Sequence, residues 1–355
     1  MNMQSPERVL FRQQQLPIFQ NRTYSTEADA KACSKGDVVL VEDQVTGLVY
    51  NAAFQPDLMI YDAHYQNEQA LSPQFQAHLD EVAEIIERGM GREAIVEVGC
   101  GKGFFLEKLL AKGFDVAGFD PAYEGANERV RKCYFTPDVS VIARGLVLRH
   151  VLEHIRNPFE FLSLLRDANG GGGRIYIEVP CFDWICRRRA WFDIFYEHVN
   201  YFRLSDFYRM FGSVVESGRL FGGQYIYVVA ELASLRPPRG EGLDRVSFPE
   251  DFTYAVAASN QAATSRAAVW GGASKGVIFS LLKERAGTPV GMVIDINPAK
   301  QGRYLPATGL QVRSPREALA ALPPGSTIYI MNSNYADEIK MMSGGKFQYV
   351  QVDHG

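Results

Sequence analysis

Three side chains able to donate, accept or transfer protons stand together at Tyr196-Glu197-His198. They sit inside the aromatic run Trp191-Phe192-Asp193-Ile194-Phe195-Tyr196-Glu197-His198-Val199-Asn200-Tyr201-Phe202. An imidazole near neutral pH can take a proton from a carbon next to a carbonyl or from a hydroxyl. A neighbouring carboxylate can orient that imidazole or raise its pKa, and a phenol can donate to an oxygen on which charge develops. His198 is the candidate base, Glu197 its partner and Tyr196 the oxygen donor. The plainer reading is a core-facing stretch in which His198 is only hydrogen-bonded. A lone histidine would favour that reading; three adjacent groups weigh against it.

A second histidine group is Arg149-His150-Val151-Leu152-Glu153-His154. His-x-x-Glu-His is the inverted zinc-protease pattern, in which two histidines on one helical face hold zinc and Glu153 acts as base. The competing reading is a short helix after a fourth strand, ending at Asn157-Pro158. The glycine loop upstream supports the second reading, and no metal is expected.

Two glycine-rich loops follow β-branched runs and precede apolar helical runs. The first, Glu97-Val98-Gly99-Cys100-Gly101-Lys102-Gly103, has its third glycine two residues after the second. The dinucleotide fingerprint would place it at Phe104. A loop of this spacing suits the amino-acid end and ribose of S-adenosylmethionine (AdoMet), and Asp120, ending the next strand candidate, is placed to accept from ribose hydroxyls. The second loop, Gly271-Gly272-Ala273-Ser274-Lys275-Gly276, does have dinucleotide spacing, with Asp295 ending its next strand. It reads as an NAD(P) site, as a phosphate or substrate site using Lys275 and Gly276 at a helix N-terminus, or as a turn permitting tight strand–helix packing.

The elements that must position these groups read as an α/β chain. Asp37–Val41 and Gly47–Tyr50 predict a β-hairpin. Ser72-Pro73 predicts a helix start, with Phe75, Leu79, Val82, Ile85 and Ile86 on its apolar face. Strand candidates Ala94–Val98, Asp115–Phe119, Gly145–Leu148, Arg174–Val179 and Gln224–Ala230 alternate with helices, which predicts a parallel, doubly wound sheet. Leu235–Gly242 is a linker by composition, and Ala255, Ala258 and Ala262 predict a connector helix. The expected divisions are a small β-rich module at 1–70, an AdoMet-binding Rossmann-like domain at 71–235, a connector at 236–266 and a second Rossmann-like domain at 267–355.

The chain has 355 residues, 46% of them apolar and 22% charged, and a formal charge of −4. That balance argues against nucleic acid as the main partner. The basic cluster Arg187-Arg188-Arg189 reads as a local anion site or a solvated turn. No stretch is long and apolar enough to span a bilayer, and the N-terminal segment has no signal-peptide pattern. The five cysteines form no Cys-x-x-Cys pair, which suggests buried thiols, a reducing compartment and a cytoplasmic protein.

The sequence resembles class I AdoMet-dependent methyltransferases, and among them the sugar C-methyltransferase family, which methylates a carbon next to the ketone of nucleotide-linked 4-keto deoxysugars. The residues that carry the resemblance are Tyr61-x-x-x-Tyr65-Gln66-Asn67, Glu97-x-Gly-x-Gly, and Tyr196-Glu197-His198 leading to Tyr201-Phe202. A C-terminal block continues it through Gly271–Gly276, Val293–Tyr304, Asn334–Ile339 and Gly344–Phe347. The resemblance implies AdoMet held by Tyr65, Glu97, Gly99, Gly101, Gly103, Asp120 and His150. It implies His154 as a further active-site histidine, and Tyr61, Lys275 and Gly276 toward a small-molecule acceptor in a cleft against the C-terminal domain. Three departures stand out. The family's N-terminal zinc cysteines are absent, with Asp43 and Thr46 where the second pair would fall, so the hairpin is expected to persist without zinc. Phe195 stands where the sugar enzymes carry the tyrosine of Tyr-x-Glu-His. The strand before His150 starts Ala143-Arg144-Gly145, without the usual acid.

Overall fold

The computed structural model describes residues 7–59, 72–240, 244–252 and 267–353. Tyr61, Tyr65, Gln66, Asn67 and the connector residues Ala255, Ala258 and Ala262 lie outside the described residues.

At the N-terminal end, β1 (Glu7–Pro17), β2 (Lys35–Asp43) and β3 (Val49–Asn51) pair antiparallel. The β2–β3 hairpin falls where the two β-branched runs predict it. Its turn is held by Asp43, whose Oδ1 accepts from the Val45 N–H at 2.7 Å and the Thr46 N–H at 2.8 Å. A carboxylate bonded to backbone N–H groups is a standard turn lock. β1 was not legible as a strand because it is an edge: Phe11, Leu16 and Pro17 are buried while most of the other residues face solvent.

The central unit begins with β4 (Ile95–Val98), β5 (Val116–Phe119), β6 (Val130–Arg131), β7 (Gly145–Arg149) and β8 (Arg174–Pro180), all parallel. β9 (Asn200–Tyr201) leaves this unit and pairs with β3, completing the N-terminal sheet. β10 (Val214–Leu220) and β11 (Tyr225–Glu231) return to the central sheet, whose order is β10-β11-β8-β7-β4-β5-β6. The sheet is therefore mixed rather than parallel throughout, since β11 runs antiparallel to both β8 and β10. The short turn Phe221–Gly223 is the cause. Two strands joined without a crossover can pair only antiparallel.

Helix Pro73–Met90 starts with Ser72 accepting from the Phe75 N–H, and it buries Phe75, Leu79, Val82, Ile85 and Ile86. These side chains share a core with Phe105, Leu106 and Leu109 of helix Phe104–Ala111. Leu162 and Leu165 of helix Pro158–Ala168 belong to a separate core, so the central sheet is covered by helices on both faces. The C-terminal sheet is parallel throughout: β12 (Ala267–Trp270), β13 (Met292–Ile294), β14 (Val312–Arg313), β15 (Thr327–Ile330) and β16 (Gln348–Gln351), ordered β14-β13-β12-β15-β16. One apolar cluster runs through all three sheets, from Leu16 and Val38 through Val96 and Ile177 to Val269 and Tyr329. Contiguous burial of this kind makes the three units one packed body.

All five cysteines are free. Among the described residues, no helix is long and apolar enough to cross a membrane. The basic cluster is a helix end, with Arg187 exposed and Arg189 paired to Asp251 at 3.0 Å, which matches the solvated-turn reading.

Candidate active site

β4 hands over to the first glycine loop, and helix Phe104–Ala111 follows. Gly99, Gly101 and Gly103 have φ of +74°, +54° and +81°, a region that L side chains avoid. A Cβ on Gly99 would lie 2.6 Å from Val151 Cγ2, so the loop leans on the His150–His154 turn. A Cβ on Gly101 would meet nothing within 4 Å, which leaves that side of the loop open. Asp120 Oδ2 accepts from the Gly101 N–H and Oδ1 from the Ala122 N–H, each at 2.8 Å. Each carboxylate oxygen has a further lone pair for a ribose hydroxyl.

Glu97 is buried on β4, and its Oε2 has no hydrogen-bond partner among the described residues. Burial pushes its carboxyl up to about 8, against the pull of the Arg149 guanidinium and with some help from Asp120. A buried acid with one oxygen unpartnered beside an open glycine loop fits a ligand that brings positive charge. AdoMet, with an ammonium and a sulfonium, is such a ligand.

The turn after β7 is tighter than a helix. His150 has φ +51°, Val151 is non-helical, and only Leu152–His154 make a 3-10 turn. His150 and His154 therefore share no helical face, which removes the protease-like zinc pair. His150 Nδ1 lies 3.3 Å from Glu153 Oε1 and its Nε2 lies 3.1 Å from Glu178 Oε1. Both ring nitrogens are committed, so His150 offers no free N–H to a cofactor. Burial alone would lower its pKa, but the two carboxylates outweigh it and hold the imidazolium up to about 9.

Glu178 is the hub of this layer. It is buried on β8, and burial pushes its carboxyl up, yet Arg149, His150 and His78 bring it well below the usual carboxylate range. His78 Nε2 lies at 3.0 Å, Arg149 Nε at 3.2 Å and the Tyr176 hydroxyl at 2.7 Å. Sequence reading missed Glu178. Its signal was a lone charge inside the apolar strand Arg174–Pro180.

The Tyr196–His198 segment is laced to this turn and to the N-terminal sheet. The Val199 N–H donates to Glu153 O and the Asn51 N–H to Val199 O, each at 2.8 Å. His154 Nδ1 lies 3.0 Å from Glu197 O, so that nitrogen donates and Nε2 carries the lone pair in the neutral ring. His198 is half-buried, 5.0 Å from the His154 ring and 4.8 Å from the Phe195 ring, edge-to-face in both cases. Burial drives its pKa well below the ordinary histidine value, and His154, His150 and Lys275 push it the same way. His198 is thus a neutral imidazole, and the expected upward shift from Glu197 is absent.

Glu197 and Tyr196 face the N-terminal unit. Glu197 Oε1 accepts from the Gln20 N–H at 2.6 Å. The Tyr196 hydroxyl accepts from the Gln55 N–H at 2.9 Å, its ring packs on Phe54, and a Cβ on Gly36 would strike it at 2.3 Å. Phe195 turns toward His198, while Tyr196 turns away toward Gln55 and Phe54.

The second loop is plugged. Asp295 Oδ2 accepts from the Gly272 N–H and Oδ1 from the Asn297 N–H, each at 2.8 Å, and Lys300 lies 3.6 Å from Oδ2. The Ser274 N–H donates to Gln20 O at 3.2 Å, and its hydroxyl donates to Asn21 Oδ1 at 2.8 Å. Lys275 Nζ reaches Asp193 Oδ2 at 3.0 Å and Gln224 Oε1 at 2.9 Å, above the Trp184 ring. A Cβ on Gly276 would lie 1.8 Å from Gly271 O, so this glycine exists for close packing. The ribose-binding position and the helix N-terminus that a dinucleotide needs are both taken by the protein itself.

Residues 63–214 match a family model described as a methyltransferase domain. No curated protein matches the sequence. Among solved structures the chain is similar to the 1,6-didemethyltoxoflavin-N1-methyltransferase of Burkholderia thailandensis, bound to 1,6-didemethyltoxoflavin and S-adenosylhomocysteine. The identity is 18%, over 44% of this chain and 78% of that one, with a TM-score of 0.34. It is also similar to the N-methyltransferase NodS of Bradyrhizobium japonicum, at 13% identity over 45% and 97% of the two chains and a TM-score of 0.32. A third is the geranyl diphosphate C-methyltransferase of Streptomyces coelicolor in complex with Mg2+, geranyl-S-thiolodiphosphate and S-adenosylhomocysteine. Its identity is 14%, over 43% and 75% of the chains, with a TM-score of 0.32.

Proposed function

We propose that this AdoMet-dependent methyltransferase alkylates a carbon beside a carbonyl in a small acceptor such as a nucleotide-linked keto sugar, with His198 as the base. The observation that carries the reading is the state of His198: neutral, half-buried, and without a hydrogen-bond partner among the described residues. A neutral imidazole can accept a proton. One of lowered basicity needs help, because the negative charge it leaves on the acceptor oxygen must be stabilised.

Lys275 supplies that help. Its ammonium is close enough to weigh on His198, and Asp193 and Gln224 fix it in place. It takes the part that Tyr196, turned toward Gln55, does not play. His154, held by Glu197 O, forms the wall against which the His198 ring stands. Glu97, Gly99–Gly103 and Asp120 hold AdoMet, which when bound supplies an electrophilic methyl group. The acceptor lies where the central and C-terminal units meet, bounded by Lys275, Gln224 and Asn332. Alignment of two reactants in a water-poor cleft contributes most of the acceleration.

The test combines a variant with product analysis. Ligands retained on purification, identified by mass spectrometry, give the acceptor. His198→Ala keeps AdoMet affinity and loses roughly 100- to 10,000-fold in turnover; unchanged turnover removes His198 as base. The 13C shift of the product methyl distinguishes C–CH3 from O–CH3, and an O-methyl signal moves the reaction to a hydroxyl with the same base.

A further inference from the structure

A carboxylate oxygen of Glu153, one ring nitrogen of His154 and one of His198 all lie within 4.8 Å of one another. Glu153 is 1% exposed; its Oε1 faces His150 Nδ1, and its Oε2 is buried with no hydrogen-bond partner among the described residues. A buried carboxylate oxygen left in that state is costly, and a bound cation beside two imidazoles is one species that relieves it. His154 supplies a second indication. Its Nδ1 lies 3.0 Å from Glu197 O, the kind of outer contact that orients a metal-bound imidazole.

We propose that Glu153, His154 and His198 form a site for one divalent ion of the zinc class, and that the ion, when bound, takes the His198 lone pair and stops it acting as base. This rests on the reading of His198 given above and adds to it a competitor for the same nitrogen. Two imidazoles and a carboxylate form a zinc-type set and suit Mg2+ or Ca2+ poorly. Bonds of about 2.0–2.2 Å around a tetrahedral ion need ligand atoms roughly 3.4 Å apart, so the three groups must contract. His198 is the member that can move. It makes ring contacts with His154, Phe195 and Tyr201 and no hydrogen bond among the described residues. The nearest positive charges are already paired, His150 with Glu178 and through Nδ1 with Glu153 Oε1, and Lys275 with Asp193, which leaves Glu153 Oε2 for the ion. The fourth position stays open to water or to an acceptor oxygen.

The test uses the full chain stripped with EDTA and titrated with Co2+, read by its visible d–d absorption, with Zn2+ added as competitor. The expected result is one ion per chain, displaced by Zn2+. Glu153→Gln and His154→Gln should each weaken Co2+ binding at least tenfold while AdoMet affinity, measured by calorimetry, stays within twofold and reports the fold. Absence of a stoichiometric Co2+ spectrum, or binding unchanged in both variants, overturns the site. Turnover of His198→Ala in EDTA is a separate readout. A chain that takes up no Co2+ and whose His198→Ala variant is inactive in EDTA loses this inference and keeps the base.

Discussion

The loop at Gly99–Gly103 and the loop at Gly271–Gly276 begin alike. Each follows a parallel strand, precedes a helix, and has an aspartate on the next strand accepting from a loop N–H at 2.8 Å. Their surroundings separate them. Around the first, Gly101 faces open space and Glu97 holds an unpartnered buried oxygen. Around the second, Gln20 and Asn21 cover the helix start, Gly276 is pressed against Gly271 O, and Lys275 is drawn out to Asp193. The same backbone device is left open in one unit and is a joint between units in the other. What decides is the neighbouring chain, which no glycine spacing encodes.

The largest effect should come from breaking the joint. Gly276→Ala places a methyl group 1.8 Å from a backbone oxygen, and overpacking of that kind costs about 3 kcal/mol. The urea midpoint should fall accordingly while AdoMet affinity of the folded enzyme stays unchanged. A tenfold change in that affinity would mean the two loops are energetically coupled.

Next comes the turn against which the first loop leans. Folding holds the His150 pKa at about 9 against an ordinary 6.5, so the folded state binds the extra proton between those values. Its stabilisation is complete below pH ~6.5 and is lost as pH rises through about 9. Thermal melts across that window should show a fall worth a few kcal/mol, and His150→Gln should flatten it. A wild-type melt unaffected by pH would contradict the paired imidazolium.

The smallest effect concerns the first loop alone. Glu97 must lose its proton to pair with a cationic ligand. AdoMet affinity should therefore climb as pH approaches about 8 and level off above it. Glu97→Gln removes that slope and weakens binding roughly 10- to 100-fold above pH 8, the worth of a hydrogen bond to a charged group. A Glu97→Gln variant that keeps the slope would assign it to another group.

What could be read from the sequence follows the range of the physics involved. The first loop, the strands β4, β5, β7, β8 and β11 and the helix after Ser72 are set by local pattern, and they stand where the spacing puts them. Strand β10 and strand β1 are edges with few buried residues, so neither carries a clear apolar period. Strand β9 is two residues long and exists because β3 is beside it. The candidate site divides in the same way. His198 and Glu97 were legible as residue types in a pattern, whereas the direction of Tyr196 depends on Gly36 and Gln55, far away in sequence. Glu153 was read only as a possible protease base. Its oxygen without a partner, and its approach to His198, belong to a turn that the helical reading would have drawn out of reach.

The pairing of β9 with β3 also bears on how this enzyme breathes. The amides of Asn51, Val199 and Gln20 are tied to Val199 O, Glu153 O and the Glu197 carboxylate, so none can open without disturbing the same short stretch of chain. In native-state hydrogen exchange these three amides should behave as one cooperative unit with a common opening free energy. The N-terminal sheet then sets how long the arrangement of the Glu153–Val199 stretch around His198 persists.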